Sequence, residues 1–112
     1  MTDEVPVFRS FAEFWPFYLG EHAKYVTRMV HVSGTLLALA MLIAALVLGH
    51  PLWLIAVPII GYGFAWGSHA FIERNRPATF TYPVWSLLGD LRMASLWLVG
   101  RLESEVQQQA KH

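Results

Sequence analysis

The chain is dominated by one long apolar run, Met29–Ile72, which contains no Asp, Glu, Lys or Arg. A helix needs about 20 apolar residues to cross the roughly 30 Å hydrocarbon core of a bilayer, so the run is long enough for two helices. The segment 49–51, Gly-His-Pro, interrupts the run near its middle, where glycine can end one helix and proline can start the next. The pattern therefore predicts a transmembrane hairpin with helices over residues 29–48 and 51–72.

Two flanking segments complete a predicted all-α fold, an integral membrane helical bundle. Ser10 and Glu13 have the spacing of a capping box. Aromatic residues recur through residues 8–22, which we interpret as a helix at the membrane interface. An aromatic stripe packed on the protein's own core would give the same pattern. Pro16 predicts a kink or a restart in this helix, and the apolar stretch 84–100 predicts a third membrane helix or a re-entrant helix.

The third stretch carries two charges near its middle. Asp90 and Arg92 lie about 200° apart around a helix, so they face different directions. We expect Asp90 to face the protein interior and Arg92 to reach headgroups or a neighbouring side chain. Residues 1–102 are accordingly interpreted as a single membrane domain, and residues 103–112 as a polar, frayed tail.

Composition narrows the possible function classes. The chain has 112 residues, of which 55% are hydrophobic and 14% charged, whereas ordinary soluble domains are roughly 25% charged. Eight basic residues balance eight acidic ones, which argues against a nucleic-acid partner. Cysteine is absent, so disulfides, iron–sulfur clusters and thiolate zinc sites are excluded.

Basic residues cluster at one end of the predicted hairpin. Lys24 and Arg28 precede its first helix, Arg74 and Arg76 follow its second, and the turn between the helices has no Lys or Arg. Basic residues near helix ends favour the cytoplasmic side, and no secretory signal peptide is evident. We therefore expect an integral membrane protein, of the inner or plasma membrane if bacterial, with its N-terminus in the cytoplasm and its turn on the far side.

Ionisable residues inside a predicted membrane helix indicate function, because their burial is unfavourable. His31 and His69 are equally distant in sequence from His50, so an antiparallel hairpin places both about 28 Å from its turn. Glu73 follows His69 by one helical turn, and His22 lies just before the hairpin. His22 and His31 would face opposite sides of one straight helix, so the chain must bend between them if both bind one ion.

Three histidines at one depth, together with Glu73 or Asp90, form a candidate metal site on the cytoplasmic side. Imidazole and carboxylate ligands suit iron(II), zinc, manganese and nickel, and such sites with open positions favour non-haem iron oxygen chemistry. The alternative is that each histidine is a hydrogen-bonded packing residue and that Glu73 pairs with a neighbouring arginine. His50 in the turn and His112 in the tail are excluded from the site. No phosphate-binding loop or hydrolase motif is present.

Four motifs together resemble one small membrane-protein family. They are Tyr18-x3-His22, Arg28-x2-His31-x2-Gly34, Trp66-x2-His69-x3-Glu73 followed by Arg-Asn-Arg-Pro-Ala, and Ser86-Leu87-x2-Asp90-x2-Met93. Over about residues 11–100 the chain resembles the 2-hydroxy fatty acid α-dioxygenases, whose eukaryotic members act at the endoplasmic reticulum. The chain is shorter than those proteins, and it has Lys24 and Tyr25 where the family commonly has an asparagine.

The resemblance implies iron(II)-dependent removal of one carbon from a long-chain 2-hydroxy fatty acid by dioxygen. It also implies His22, His31 and His69 as the ligands of Fe(2+). We expect a cationic cluster to hold the substrate carboxylate and apolar side chains to surround the acyl chain. The cations are Arg28, Arg74 and Arg76, and the apolar residues are Phe71, Leu87 and Leu91. Glu73 or Asp90 would either ligate the metal directly or orient a ligand imidazole.

Two other functions fit the same residues. One is a non-catalytic membrane module, in which polar groups and the small residues Gly61, Gly63 and Gly67 hold helices or subunits together in the bilayer. The other is a zinc hydrolase that uses the same three histidines. A homo-oligomer is compatible with each of these functions.

Overall fold

The computed structural model describes residues 7–76 and 81–110. Within those ranges the regular elements are helices, which confirms the predicted all-α class. The α-helices are α1 (Phe11–Gly20), α2 (Tyr25–Leu48), α3 (Ala56–Ser68), α4 (Pro83–Leu98) and α5 (Leu102–Ala110). A 3₁₀-helix (Pro51–Ile55) leads into α3, and a π-helix (His69–Glu73) follows α3.

α2 and α3 form the predicted hairpin, and its turn lies where glycine and proline interrupt the apolar run. Gly49 ends α2 in the left-handed conformation with φ 71°, which glycine adopts without a steric penalty. Pro51 opens the 3₁₀-helix, where the N–H that proline lacks would have no helical acceptor. α2 begins at Tyr25, four residues earlier than predicted, and the buried residues Thr27 and Arg28 lie in its first turn.

Small residues let α2 and α3 approach each other closely. Gly34 lies directly against Phe64, whose side chain occupies the space that a Cβ at position 34 would need. Nearer the hairpin turn, a Cβ at Gly61 would lie 3.7 Å from the Cβ of Ala38. Small residues at such crossings allow backbones to pack tightly in membrane helix pairs.

The hairpin exposes most of its apolar surface. Its two arms, Tyr25–Leu48 and Pro51–Glu73, are long and apolar enough to cross a membrane. Only 28% and 17% of their apolar windows are buried within the protein, whereas the core helix of a soluble protein is mostly buried. Large exposed apolar surfaces mark contacts with a partner or with a membrane.

The aromatic residues of α1 pack on the protein's own core. Phe14, Trp15 and Tyr18 are buried in one cluster with Met93 of α4 and Leu102 of α5. The structure therefore supports the second of the two interpretations of the aromatic stripe, in which it packs against the core. Burial of these large rings holds α1 against the remainder of the bundle.

The start of α1 follows the predicted capping box only in part. Ser10 Oγ accepts a hydrogen bond from the N–H of Glu13 at 3.2 Å. The Glu13 carboxylate accepts from the N–H of Arg9 at 3.2 Å, and not from that of Ser10. Pro16 lies inside α1 without ending it, so of the two predicted effects, a kink or a restart, the restart does not occur.

The prediction of a frayed tail is also wrong, because residues 102–110 form α5. Leu102 is 2% exposed, Glu103 forms an ion pair with Arg28, and Glu105 accepts a hydrogen bond from Trp15. These partners lie 75 and 90 residues earlier in the chain. The polar composition of the tail alone could not indicate them.

We predict that Gly34→Ala destabilises the hairpin, because the added methyl group would overlap Phe64. Overpacking of this kind typically costs about 1–3 kcal/mol, which thermal unfolding in detergent micelles would report as a lower Tm. Gly63→Ala is the matched control, since a Cβ at that position meets no atom within 4 Å. Equal Tm values for the two variants would contradict the close packing at Gly34.

Candidate metal centre

Three buried histidines meet at the end of the hairpin opposite its turn. His22 lies between α1 and α2, His31 lies in α2, and His69 opens the π-helix. The ring centroid of His22 lies 4.6 Å from that of His31 and 4.5 Å from that of His69, and the centroids of His31 and His69 are 5.9 Å apart. The three residues are at most 4% exposed. His50, by contrast, stacks on Trp53 in the hairpin turn.

The bend that this convergence requires comes from the break between two helices. α1 ends at Gly20 and α2 begins at Tyr25, with residues 21–24 between them. His22 and His31 therefore do not belong to one straight helix, and their rings can approach each other. The sequence indicated that a bend was necessary but did not indicate where it lies.

Two of the imidazoles donate their Nδ1 hydrogen to an oxygen atom. His22 Nδ1 lies 2.7 Å from the carbonyl oxygen of Tyr18, and His69 Nδ1 lies 2.6 Å from Asn75 Oδ1. The orientation of the Asn75 amide follows from its Nδ2, which donates to the Glu21 carbonyl at 3.0 Å and to the Glu21 carboxylate at 3.1 Å. Since both oxygens are acceptors, each Nδ1 carries the hydrogen and each Nε2 carries a lone pair.

The third imidazole is oriented by a carboxylate. His31 Nε2 lies 2.8 Å from Asp90 Oδ1. Because the same oxygen accepts from the Tyr18 hydroxyl at 2.5 Å, it serves as an acceptor, and we assign the ring hydrogen to His31 Nε2. The close approach of the Tyr18 ring needs Gly89, where a Cβ would stand 2.8 Å from that ring. Burial, reinforced by Asp90, raises the pKa of Tyr18 well above its ordinary value, so its hydroxyl remains a donor. The buried Nδ1 of His31 has no hydrogen-bond partner within residues 7–76 and 81–110.

One unprotonated nitrogen therefore remains on each ring. The Nε2 atoms of His22 and His69 face each other at 3.1 Å, where two lone pairs repel unless a proton or a metal cation lies between them. Burial above all, and then the neighbouring His31 and His69, lower the pKa of His22 well below its ordinary value, which disfavours a bridging proton. This donor set fits a metal cation, because ligating histidines usually donate their other N–H to a carbonyl or a carboxylate.

The side chains do not form a finished coordination shell. Across the two described ranges, no group of three His, Asp or Glu side chains could hold a metal ion as it stands. His22 and His69 already have suitable spacing, since bonds of about 2.1 Å place adjacent ligand nitrogens about 3 Å apart. Completing the site requires the His31 ring to adjust so that its unpaired nitrogen joins the other two.

Glu73 does not occupy the position that α-helical spacing predicted for it. Its Oε2 accepts from the N–H of Lys24 at 2.6 Å, at the start of α2. The helix widens into a π-turn here and ends with Arg74 at φ 61°, and Asn75, not Glu73, contacts the His69 ring. Asn75 was part of a motif in the sequence, but the α-helical period could not single it out.

The arginines predicted to bind a substrate carboxylate have different surroundings. Arg28 is 5% exposed, and its guanidinium bonds to Glu103 and to the backbone carbonyls of residues 22 and 23. Arg74 and Arg76 are exposed after the π-helix. Arg74 and Arg76 therefore face solvent, whereas the Arg28 guanidinium is buried.

An apolar groove of about 370 Å³ lies between α2, α3 and α4. Asp90 lines it and also accepts from His31, so the groove and the histidines share one side chain. Leu87 and Leu91, which we expected beside an acyl chain, line the groove, whereas Phe71 is 83% exposed and lies outside it. The remaining lining residues are Thr35, Ala38, Leu39, Leu42, Val57, Pro58, Gly61, Tyr62 and Pro83.

We predict that Asn75→Ala weakens binding of Co²⁺, because His69 loses the acceptor that orients its ring. Loss of such an outer hydrogen bond typically reduces metal affinity about 10- to 100-fold. Competition titration of the detergent-solubilised protein with a metal chelator measures the change.

The double variant Glu21→Gln, Asn75→Asp is the matched control for this prediction. It keeps an acceptor for His69 Nδ1 and lets the side-chain amide at position 21 donate to position 75, but the backbone carbonyl of residue 21 loses the donor that Asn75 supplies. The double variant should therefore recover part of the affinity that Asn75→Ala loses. Asn75→Asp alone would set two carboxylates against each other and should recover less. Native affinity in Asn75→Ala would show that Asn75 does not orient His69.

Comparison with known proteins agrees with the resemblance carried by the sequence motifs. Residues 8–102 match the family described as 2-hydroxy-palmitic acid dioxygenase Mpo1-like. This range includes the three histidines together with Asn75 and Asp90. A search of curated proteins and a search of solved structures each found no match. Because the match covers most of the chain, the protein belongs to the Mpo1-like family.

Proposed function

We propose that this protein is an iron(II)-dependent membrane dioxygenase that shortens a long-chain 2-hydroxy fatty acid by one carbon. The observation that carries the proposal is the set of buried imidazoles of His22, His31 and His69, each with one nitrogen bonded to an oxygen and one left unprotonated. The description of the family as a 2-hydroxy-palmitic acid dioxygenase supports the same chemistry.

The three histidines would hold Fe(2+) as neutral ligands. Three protein ligands leave coordination positions open, which favours oxygen chemistry at non-haem iron. When bound, iron(II) would supply the redox chemistry that lets dioxygen react with the substrate. In that reaction the C1–C2 bond breaks, and one 2-hydroxy acid and one dioxygen give the shorter acid, one carbon dioxide and one water.

The protein's own side chains would orient the reacting groups and exclude water. Tyr18 and Asp90 hold the His31 ring, and Asn75 holds that of His69. Asp90 also lines the apolar groove, so a hydroxyl on a ligand in that groove would find an acceptor there. The buried aromatic rings around the site keep bulk water away, which strengthens each of these hydrogen bonds.

The groove suits a ligand with a long apolar tail. Leu87 and Leu91 would contact an acyl chain, and Arg74 and Arg76 would attract the carboxylate at the edge of the site. The apolar surface of the hairpin supports insertion of the protein in a bilayer, from which such a lipid could diffuse laterally. By the positive-inside rule, the N-terminus and the proposed metal centre would lie on the cytoplasmic side.

We expect anaerobically purified protein to contain about one iron per chain and, on addition of dioxygen, to convert 2-hydroxypalmitate to pentadecanoate. Elemental analysis and mass spectrometry of the products measure the two quantities. His31→Ala should lose both iron and turnover, while His50→Ala, in the hairpin turn, should keep both. Zinc with hydrolytic activity would favour the hydrolase instead, and absence of any metal from the purified protein would favour the non-catalytic module.

We further predict that Gly61→Leu reduces turnover of 2-hydroxypalmitate at least tenfold in kcat/KM, because the new side chain would fill the groove beside Ala38. Turnover of 2-hydroxyoctanoate should fall less, since a shorter chain extends less far past this position. Gly63→Leu is the control, as position 63 has open space around it. Equal losses for the long and short substrates would argue against the groove as the acyl site.

A further inference from the structure

The C-terminal helix contacts the metal centre through a buried arginine. α5 covers Leu102–Ala110, whereas the family match ends at residue 102. From this helix Glu103 binds the Arg28 guanidinium with both carboxylate oxygens, at 2.5 Å to Nη2 and 2.9 Å to Nε. Such a bidentate pair fixes the plane of the guanidinium as well as its position.

The remaining nitrogen of that guanidinium holds the turn that carries His22. Arg28 Nη1 donates to the carbonyl oxygens of His22 and Ala23, both at 2.8 Å. These carbonyls lie in the break between α1 and α2. The position of the His22 backbone therefore depends on where the Arg28 guanidinium is held.

Arg28 needs a counter-charge to stay in this place. The residue is 5% exposed, and a buried cation that loses its partner is strongly destabilised. Without the carboxylate of Glu103, the guanidinium would have a lower free energy in contact with water than in its buried position. If it turned towards water, the carbonyls of residues 22 and 23 would lose their donor. Glu103 is 44% exposed, so its own charge is partly hydrated and remains available to the pair.

We propose that Glu103 is a positioning residue for His22, so that α5 forms part of the metal centre. The proposal rests on the proposed function, because it assigns a role in holding the ligand set of that site. The Glu103 carboxylate holds the Arg28 guanidinium, and the guanidinium holds the carbonyl of His22. The position of that backbone then sets the position of the His22 imidazole.

Glu105 provides a matched control on the same helix. It accepts from Trp15 Nε1 at 3.0 Å and lies 3.6 Å from Arg92, so it also ties α5 to the bundle. Its partners belong to α1 and α4. Trp15 stacks on Tyr18, but neither Trp15 nor Arg92 bonds to the carbonyls of residues 22 and 23, which Arg28 holds. Neutralising Glu105 removes its contacts with Trp15 and Arg92 but leaves in place the Glu103–Arg28 pair and its bonds to residues 22 and 23, so it should lower Tm without displacing the histidine.

The experiment compares Glu103→Gln with Glu105→Gln in the full chain, using Co²⁺ as the probe. We expect Glu103→Gln to weaken Co²⁺ binding at least fivefold and to change the visible absorption of the bound ion, which reports ligand geometry. Glu105→Gln should lower Tm without either effect. Arg28→Lys should resemble Glu103→Gln, and combining the two should add little because both act through one contact.

A second measurement is made without metal. The ring ¹⁵N resonances of His22, observed in the metal-free protein, should shift in Glu103→Gln and stay in place in Glu105→Gln. Unchanged His22 resonances, or equal shifts in the two variants, would overturn the positioning role. If the native chain binds no Co²⁺ and no iron, the proposed function fails, while the nitrogen resonances still decide the role of Glu103.

Discussion

The structure depends on one constraint, which is that each imidazole N–H buried in an apolar bundle must find an oxygen acceptor. The acceptors here come from separate parts of the chain: the Tyr18 carbonyl in α1, the Asp90 carboxylate in α4 and the Asn75 amide beyond the π-helix. Satisfying the three histidines thus requires α1, α4 and the segment after α3 to meet at one end of the hairpin. Burial of the α1 aromatic rings against α4 and α5 supplies the apolar contacts that keep these elements together.

The same constraint decides which nitrogen of each imidazole carries the hydrogen and which is left unprotonated. The N–H groups of His22, His31 and His69 point outward to oxygens, and the unprotonated nitrogens are left over. A packing network with no ligand would be expected to satisfy both nitrogens of each ring, because an unpaired buried polar atom is unfavourable. Asp90 then links this arrangement to the apolar groove, so that one carboxylate contacts both the histidines and the space suited to a lipid chain.

The local sequence pattern predicted correctly those structural features that depend on neighbouring residues. The charge-free run and the Gly-His-Pro interruption correctly predicted the hairpin, because helix termination at Gly49 and initiation at Pro51 are local events. Equal sequence distance from the turn predicted that His31 and His69 lie near each other, and their ring centroids are 5.9 Å apart, because the α-helical rise holds through most of both arms. Spacing failed at Glu73, because the regular α-helical rise gives way to a π-turn one residue after α3.

The sequence by itself determined the helical class, the hairpin and the set of histidines that come together. Only the tertiary structure decided which side chains orient them. Asn75 reaches His69 because Arg74 takes a positive φ and Glu21 binds the amide, and Glu103 reaches Arg28 across 75 residues of chain. Periodicity and capping act over a few residues, whereas these contacts form only when distant segments pack together, so no local pattern encodes them.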